Sequence, residues 1–112
     1  MKQSFADDVQ LTCQSIRIYM RDAPILISGI EKALGGNNNV ELASNSHSLK
    51  GITGYYTKGL LYQSCLSLEK AGRAELLPDE KPTLALQLAS LKEQVDDMLL
   101  EMQRYTDGHG CA

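Results

Sequence analysis

The stretch LALQLASLKEQVDDMLLEMQRY, residues 84–105, contains the strongest periodic pattern in the chain. Its apolar residues are spaced alternately by four and three positions: Leu84, Leu88, Leu91, Val95, Met98, Met102 and Tyr105. This spacing predicts one apolar face of an α-helix, because 3.6 residues complete a turn. At a rise of 1.5 Å per residue the helix would be roughly 35 Å long. Such a face has to be covered by other amphipathic elements, and the preceding sequence contains them.

Four shorter segments before this stretch show the same helical spacing. Their predicted core faces are Phe5, Val9, Thr12, Ile16 and Tyr19; Ile27, Ile30 and Leu34; Leu42, Ser46 or Asn45, Leu49, Thr53 and Tyr56; and Leu61, Cys65, Leu68 and Gly72. Ser4 and Asp7 resemble a capping box at the start of the first helix. Asp22 is the predicted N-cap of the second helix, with Pro24 tolerated in its first turn.

Residues 35–39, 57–59 and 77–79 interrupt the helical pattern with Gly, Asn or Pro and predict loops. No segment alternates apolar and polar residues for long enough to predict a sheet. We therefore predict an all-α fold, an antiparallel four-helix bundle made by the last four helices. An additional N-terminal helix is expected to pack across the bundle or at its end. The domain is expected to span residues 1–105, with residues 106–112 as a frayed tail.

Composition argues against several classes of protein. The 112 residues include 14 acidic and 11 basic side chains, a net charge of −3 that disfavours nucleic-acid binding. No apolar run approaches the ~18 residues of a membrane span, so no membrane contact is expected, and acidic residues occupy the place of a signal peptide's apolar stretch. The three cysteines show no Cys-x-x-Cys spacing. We therefore expect neither a disulfide framework nor a zinc site, and a cytoplasmic location.

His47 has surroundings that packing does not explain. With Leu42 set at zero on the third helix, His47 lies at about 140°, outside the core face. Gly51 at about 180°, Gly54 at about 120° and Lys50 at about 80° lie beside it. Glycines inside a helix cost roughly 1 kcal/mol each relative to alanine, yet they leave the imidazole accessible. The pattern fits either a nucleophilic histidine that carries a phosphoryl group or an exposed histidine beside incidental glycines.

Residues 46–51 (SHSLKG) and 68–73 (LEKAGR) together resemble the histidine-containing phosphotransfer (HPt) family. The first segment matches the family's His-x-Leu-Lys-Gly motif. The second matches its Leu-Glu and Gly-Arg pairs, which follow His47 at 21 and 22 and at 25 and 26 residues. Two positions depart from the family pattern: Ser46 replaces the usual alanine, and Thr57 the usual glycine of the following turn. The second departure leaves the geometry of that turn open.

The resemblance implies a phosphorelay intermediate. His47 Nε2 would accept a phosphoryl group from the aspartate of a response regulator receiver domain and pass it to another receiver. Lys50 would neutralise phosphoryl charge, and Gly51 would leave room for the group. Glu69 would accept a hydrogen bond from His47 Nδ1–H and so fix the ring tautomer. No cofactor is implied for this chain, because the receiver would bring the Mg²⁺.

The outward side of the fourth predicted helix carries Tyr62, Leu66, Glu69 and Arg73, all away from its core face. For Glu69 and Arg73 an ordinary solvated face is the alternative interpretation. Tyr62 and Leu66 are expected to form an apolar docking patch for the partner beside His47.

Other functions and contexts remain open from the sequence. The phosphotransfer domain of a chemotaxis-type kinase, phosphorylated by an ATP-binding domain, carries a similar motif. A helical adaptor without chemistry is a further hypothesis. We expect a monomer, but the residues do not distinguish a standalone protein from part of a hybrid sensor histidine kinase acting in cis. Whether the chain is an enzyme in its own right or a phosphoryl carrier stays open as well.

Overall fold

The computed structural model describes residues 9–111, which form four α-helices and no strand. The helices are α1 (Val9–Gly35), α2 (Asn39–Thr53), α3 (Leu60–Arg73) and α4 (Lys81–His109). Each packs against its neighbours in the order α1–α2–α3–α4–α1, and within this range the backbones of diagonally opposed helices do not approach closely. Short connections, residues 36–38, 54–59 and 74–80, join the helices, so each helix folds back antiparallel on the one before it. The contacts Tyr19–Thr53 and Lys50–Glu69 fit this arrangement. The described part of the chain is an antiparallel four-helix bundle.

Helix α1 replaces the two N-terminal helices that the sequence predicted. It runs without a break through Asp22 and Pro24, so Asp22 is not an N-cap and no separate N-terminal helix precedes the bundle within residues 9–111. The buried face continues across the proline through Ala23, which joins Tyr19 to Ile27. Pro24 is exposed, and burial of this continuous face offsets the roughly 3 kcal/mol that an internal proline costs. The predicted capping box at residues 4–7 lies outside the described residues.

The core contains most of the faces that the periodicity predicted, but Val9 is 40% exposed, and Phe5 lies outside the described residues. Its largest fully buried side chains include Tyr19 and Ile30 of α1, Leu42 and Leu49 of α2, Leu68 of α3, and Leu84 and Leu91 of α4. In α4 the predicted face is buried from Leu84 to Val95 and again at Met102, whereas Met98 and Tyr105 are half-buried. Among residues 9–111 no helix combines the length and apolarity that crossing a bilayer requires.

Gly72 sets how closely α2 and α3 approach each other. A Cβ at this position would lie 2.7 Å from both Asn39 O and Ala43 N, so any side chain would push the two backbones apart. Asn39 also bonds the chain that follows α3: its side chain accepts from Leu77 N at 3.1 Å and donates to Leu77 O at 3.2 Å. This close contact fixes the register of α2 against α3 near the candidate site.

The C-terminal segment differs from the frayed tail that was expected. Helix α4 continues to His109 and ends in left-handed Gly110, with φ 61°. Cys111 then forms a disulfide with Cys13, 98 residues earlier, with their Cα atoms 5.8 Å apart. The expectation of no disulfide is therefore wrong. Because α1 and α4 are antiparallel, the start of one helix and the end of the other lie at the same end of the bundle.

A candidate histidine site between α2 and α3

The N-terminal cap and core face of α2 determine where His47 points. Asn38 is the N-cap, and its side chain accepts a hydrogen bond from Glu41 N at 3.0 Å. Leu42 and Leu49 are fully buried, which turns His47 outward and leaves 59% of its side chain exposed. His47 therefore combines a fixed helix backbone with an accessible ring.

Glu69 of α3 contacts the imidazole at Nδ1. Its Oε2 lies 3.0 Å from His47 Nδ1, while only 6% of the Glu69 side chain is exposed. An ionised carboxylate can only accept hydrogen bonds, so Nδ1 of a neutral ring must carry the proton. The lone pair is then on Nε2, the ring nitrogen that Glu69 does not occupy.

Two cations share the same carboxylate. Lys50 Nζ lies 2.8 Å from Glu69 Oε1, and Arg73 donates to Oε2 through Nε at 3.0 Å and through one terminal nitrogen at 2.7 Å. Burial by itself would raise the pKa of Glu69. The ion pair with Lys50 and the hydrogen bonds from Arg73 and His47 outweigh that effect and lower its pKa to about 2. Glu69 is thus an ionised acceptor at any pH near neutrality.

The two glycines after His47 have different surroundings. A Cβ at Gly51 would meet no atom of the described residues within 4 Å, so the space above Gly51 is open to a partner. A Cβ at Gly54 would lie 3.0 Å from Lys58 Nζ and 3.3 Å from Tyr62 Cε2. Gly54 therefore serves packing between α2, the turn and α3, and Gly51 is the open position.

The outward side of α3 is less exposed than the sequence suggested. Tyr62 and Leu66 are both half-buried, and Lys58 Nζ lies 4.6 Å from the centre of the Tyr62 ring. Arg73 is 60% exposed despite its two bonds to Glu69. The structure thus brings Lys50, Glu69 and Arg73 to His47 and places Tyr62 farther along, beside Gly54.

An apolar depression between α1 and the end of α2 was not predicted. It is lined by Leu11, Ile18, Ile52 and Tyr55 together with Gln14, Ser15, Tyr19 and Tyr56. Leu11 and Ile18 are each 47% exposed and Tyr55 is 72% exposed. The seven-residue spacing of Leu11, Ile18 and Ile25, away from the core face, was the available signal for this exposed apolar stripe on α1.

Other nucleophiles and metal ligands do not complete a second centre near His47. Cys65 is fully buried, and burial raises the pKa of its thiol to about 12, which makes it a small core residue. In residues 9–111 no three His, Cys, Asp or Glu side chains are grouped so that they could hold a metal ion. The chemistry available at this site is that of one oriented imidazole.

Comparison with known proteins identifies one family. The sequence model of the Hpt domain family matches residues 14–105 of this chain, which include all of α2 and α3 and most of α1 and α4. No curated protein and no solved structure matches the chain significantly. The matched range contains His47, Glu69 and both of the cations that contact Glu69.

Proposed function

Since the chain belongs to the Hpt domain family, which carries out phosphotransfer in two-component phosphorelays, we propose that it is a relay intermediate. It accepts a phosphoryl group on His47 from one receiver aspartate and passes the group to another. The observation that carries this proposal is the 3.0 Å contact of His47 Nδ1 with a carboxylate that is 6% exposed. That contact leaves Nε2 as the unprotonated, outward nitrogen.

The transfer forms one bond and breaks one. His47 Nε2 attacks the phosphorus of the aspartyl phosphate, the N–P bond forms, and the acyl O–P bond breaks, releasing an aspartate carboxylate on the receiver. The ring keeps its proton on Nδ1, and Glu69 Oε2 continues to accept the hydrogen bond from Nδ1–H. The receiver supplies Mg²⁺, and this chain supplies a nucleophile in a fixed orientation.

Lys50 is proposed to lie close enough to the phosphoryl group to offset its charge. Only 17% of its side chain is exposed, and its ammonium group is held at Glu69 Oε1 one helical turn from His47. An ammonium group has three donors, so Lys50 can keep Glu69 and still direct one N–H toward a phosphoryl oxygen. The open space at Gly51 then accommodates the phosphoryl group and the partner's loop.

The receiver is proposed to dock on apolar surface on both sides of Gly51. On α3, half-buried Leu66 belongs to the same outward face as Glu69. On the other side, exposed Tyr55, in the turn after α2, and Ile18 of α1 line the apolar depression described above. Docking on this face would place the partner's aspartyl phosphate over His47. We further propose that the domain acts as a cytoplasmic monomer, either alone or as part of a hybrid sensor histidine kinase.

Phosphoryl transfer from a labelled receiver tests the proposal. A receiver charged with labelled phosphate should transfer the label to the wild-type chain, and the labelled product should be labile in acid and stable in base. His47→Gln should abolish transfer with unchanged helical circular dichroism. His109→Gln is the matched control, because it removes the other histidine of the chain, which lies exposed at the end of α4. Label that persists in His47→Gln would contradict the assignment, and label obtained only from ATP and a kinase catalytic domain would favour the chemotaxis-type alternative.

A further inference from the structure

Glu69 makes more charged contacts than orientation of the ring requires. One carboxylate oxygen is enough to accept from His47 Nδ1, yet Glu69 also contacts Lys50 at 2.8 Å and Arg73 at 2.7 Å. The two cations occupy different oxygens: Lys50 is at Oε1, whereas Arg73 shares Oε2 with the imidazole. Arg73 donates to that shared atom twice.

An uncompensated carboxylate beside a histidine would oppose nucleophilic attack. A negative charge within about 4 Å favours the protonated ring, and an imidazolium has no lone pair on Nε2. A nucleophilic histidine therefore needs an acceptor that fixes the tautomer and does not also favour a second proton on the ring. A carboxylate whose charge is already neutralised satisfies both requirements.

We propose that Arg73 is a positioning residue that acts through Glu69, together with Lys50. It neutralises the carboxylate at the oxygen that His47 uses, so that Glu69 fixes the ring tautomer without also favouring a second proton on the ring. This inference rests on the proposed function, because it concerns the nucleophile of the same transfer. Arg73 is suited to the role because its guanidinium is charged at every pH of interest and its planar fork can place two N–H groups on one oxygen.

The other charged groups near the ring do not provide this compensation. Glu75, after α3, lines the open groove beside His47 and adds negative charge there. On the α1 side of α2, Lys32 and Glu41 line a separate groove. The ion pairs of α1 that the structure describes join Arg21 to Asp22, and Glu31 to Lys92 of α4.

Titration of the His47 ring by NMR tests the proposal on the unphosphorylated protein. In Arg73→Gln the midpoint of the ring titration should rise by roughly half a pH unit or more, a modest value because Arg73 is solvent-accessible. In the double variant Glu69→Gln/Arg73→Gln the midpoint should return to the wild-type value or below, because the carboxylate charge is gone while an amide oxygen can still accept from Nδ1–H. Arg73→Lys keeps the charge and should stay closer to wild type than Arg73→Gln does.

Lys70→Gln is the matched control, since it removes one positive charge from the exposed side of α3 at a residue that makes no ion pair with Glu69. Its titration should follow wild type. The proposal is overturned if Arg73→Gln titrates like wild type, or if its upward shift persists in the double variant.

The pH profile of phosphoryl acceptance gives a second readout. Arg73→Gln should accept more slowly at low pH and recover as the pH rises through its new midpoint, and the double variant should not show this displacement. A loss that is equal at every pH would make Arg73 a docking residue and would overturn the inference. If the wild-type chain accepts no phosphoryl group at all, the proposed function fails, but the ring titration still decides the role of Arg73.

Discussion

His47 Nδ1 and Glu69 Oε2 lie 3.0 Å apart across the interface of α2 and α3, although the two residues are 22 positions apart in the chain. The contact depends on the short distance between the two helix backbones, which Gly72 permits. The imidazole is largely exposed, whereas the carboxylate that accepts from it is almost completely buried. The geometry of the ring is thus set by the packing of the bundle.

The ionisation of Glu69 should contribute to stability in a defined pH range. Its pKa is lowered from 4.5 to about 2, so the folded state binds the proton less readily than the unfolded chain does. The stabilisation is therefore fully present above pH 4.5 and is lost as the pH falls from 4.5 toward 2. Urea unfolding at several pH values should show a larger loss of stability over this range in the wild type than in Glu69→Gln. Parallel curves for the two proteins would contradict the assignment.

Ser46→Ala should stabilise the protein. Ser46 is fully buried, and its Oγ has no hydrogen-bond partner among the described residues. Alanine removes this unsatisfied oxygen at almost constant volume and has a higher helix propensity, so the free energy of unfolding should rise by about 1 kcal/mol. Thermal melting is the measurement. Ser48→Ala, on the exposed side of the same helix, controls for propensity alone, and a lower melting temperature for Ser46→Ala would mean that the hydroxyl has a partner.

The sequence predicted the helical faces and much of the candidate site because both follow from angular position on a helix. Once Leu42 and Leu49 are assigned to the core, the direction of His47 is determined, and the structure leaves it exposed as expected. The pairing of Glu69 with His47 came from the family resemblance, since periodicity alone cannot align two helices. That alignment depends on the close contact at Gly72. From the sequence, Gly72 was assigned only to the core face of its helix.

Three features were not predictable by local rules. Pro24 suggested the start of a helix. Local propensity does not take account of tertiary burial, and the buried face of α1 continues on both sides of this proline. The Cys13–Cys111 bond was missed because the number and spacing of the cysteines do not show which helix ends lie together in the fold. The exposed apolar stripe on α1 was missed because, from the sequence, the rotation of the first half of α1 was used only to assign core residues.

Reduction of the Cys13–Cys111 bond should lower stability without affecting transfer. A cross-link over 98 residues restricts the unfolded chain and typically contributes 2–4 kcal/mol. Reductant should therefore lower the free energy of unfolding by about that amount, and thiol titration should find one free cysteine before reduction and three after it. A Cys13→Ser/Cys111→Ser variant should be insensitive to reductant. Equal stability with and without reductant, or three free cysteines before reduction, would contradict this prediction.

Leu66→Ala should weaken receiver binding by about tenfold, which corresponds to about 1.4 kcal/mol. Because Leu66 is only half-buried, the free energy of unfolding should fall by about 1 kcal/mol. Ile18→Ala should weaken binding too, if the stripe on α1 belongs to the same docking surface. Leu86→Ala is the control, since Leu86 is 74% exposed on α4, the helix diagonally opposite α2 in the bundle.

Titration calorimetry with a receiver and thermal melting of the same variants separate the two effects. A loss of several kcal/mol in stability with unchanged affinity would assign Leu66 to the core. Unchanged affinity in both the Leu66 and Ile18 variants would remove this face from the docking surface.

The most direct test of the account is the position of the phosphoryl group on the His47 ring. Phosphorylated protein labelled with ¹⁵N at histidine can be examined by NMR, which distinguishes the two ring nitrogens through their couplings to ³¹P and to the ring protons. We predict phosphorus bonded to Nε2, with a proton retained on Nδ1 and hydrogen-bonded to Glu69. Phosphorus on Nδ1, or on a residue other than His47, would contradict the account.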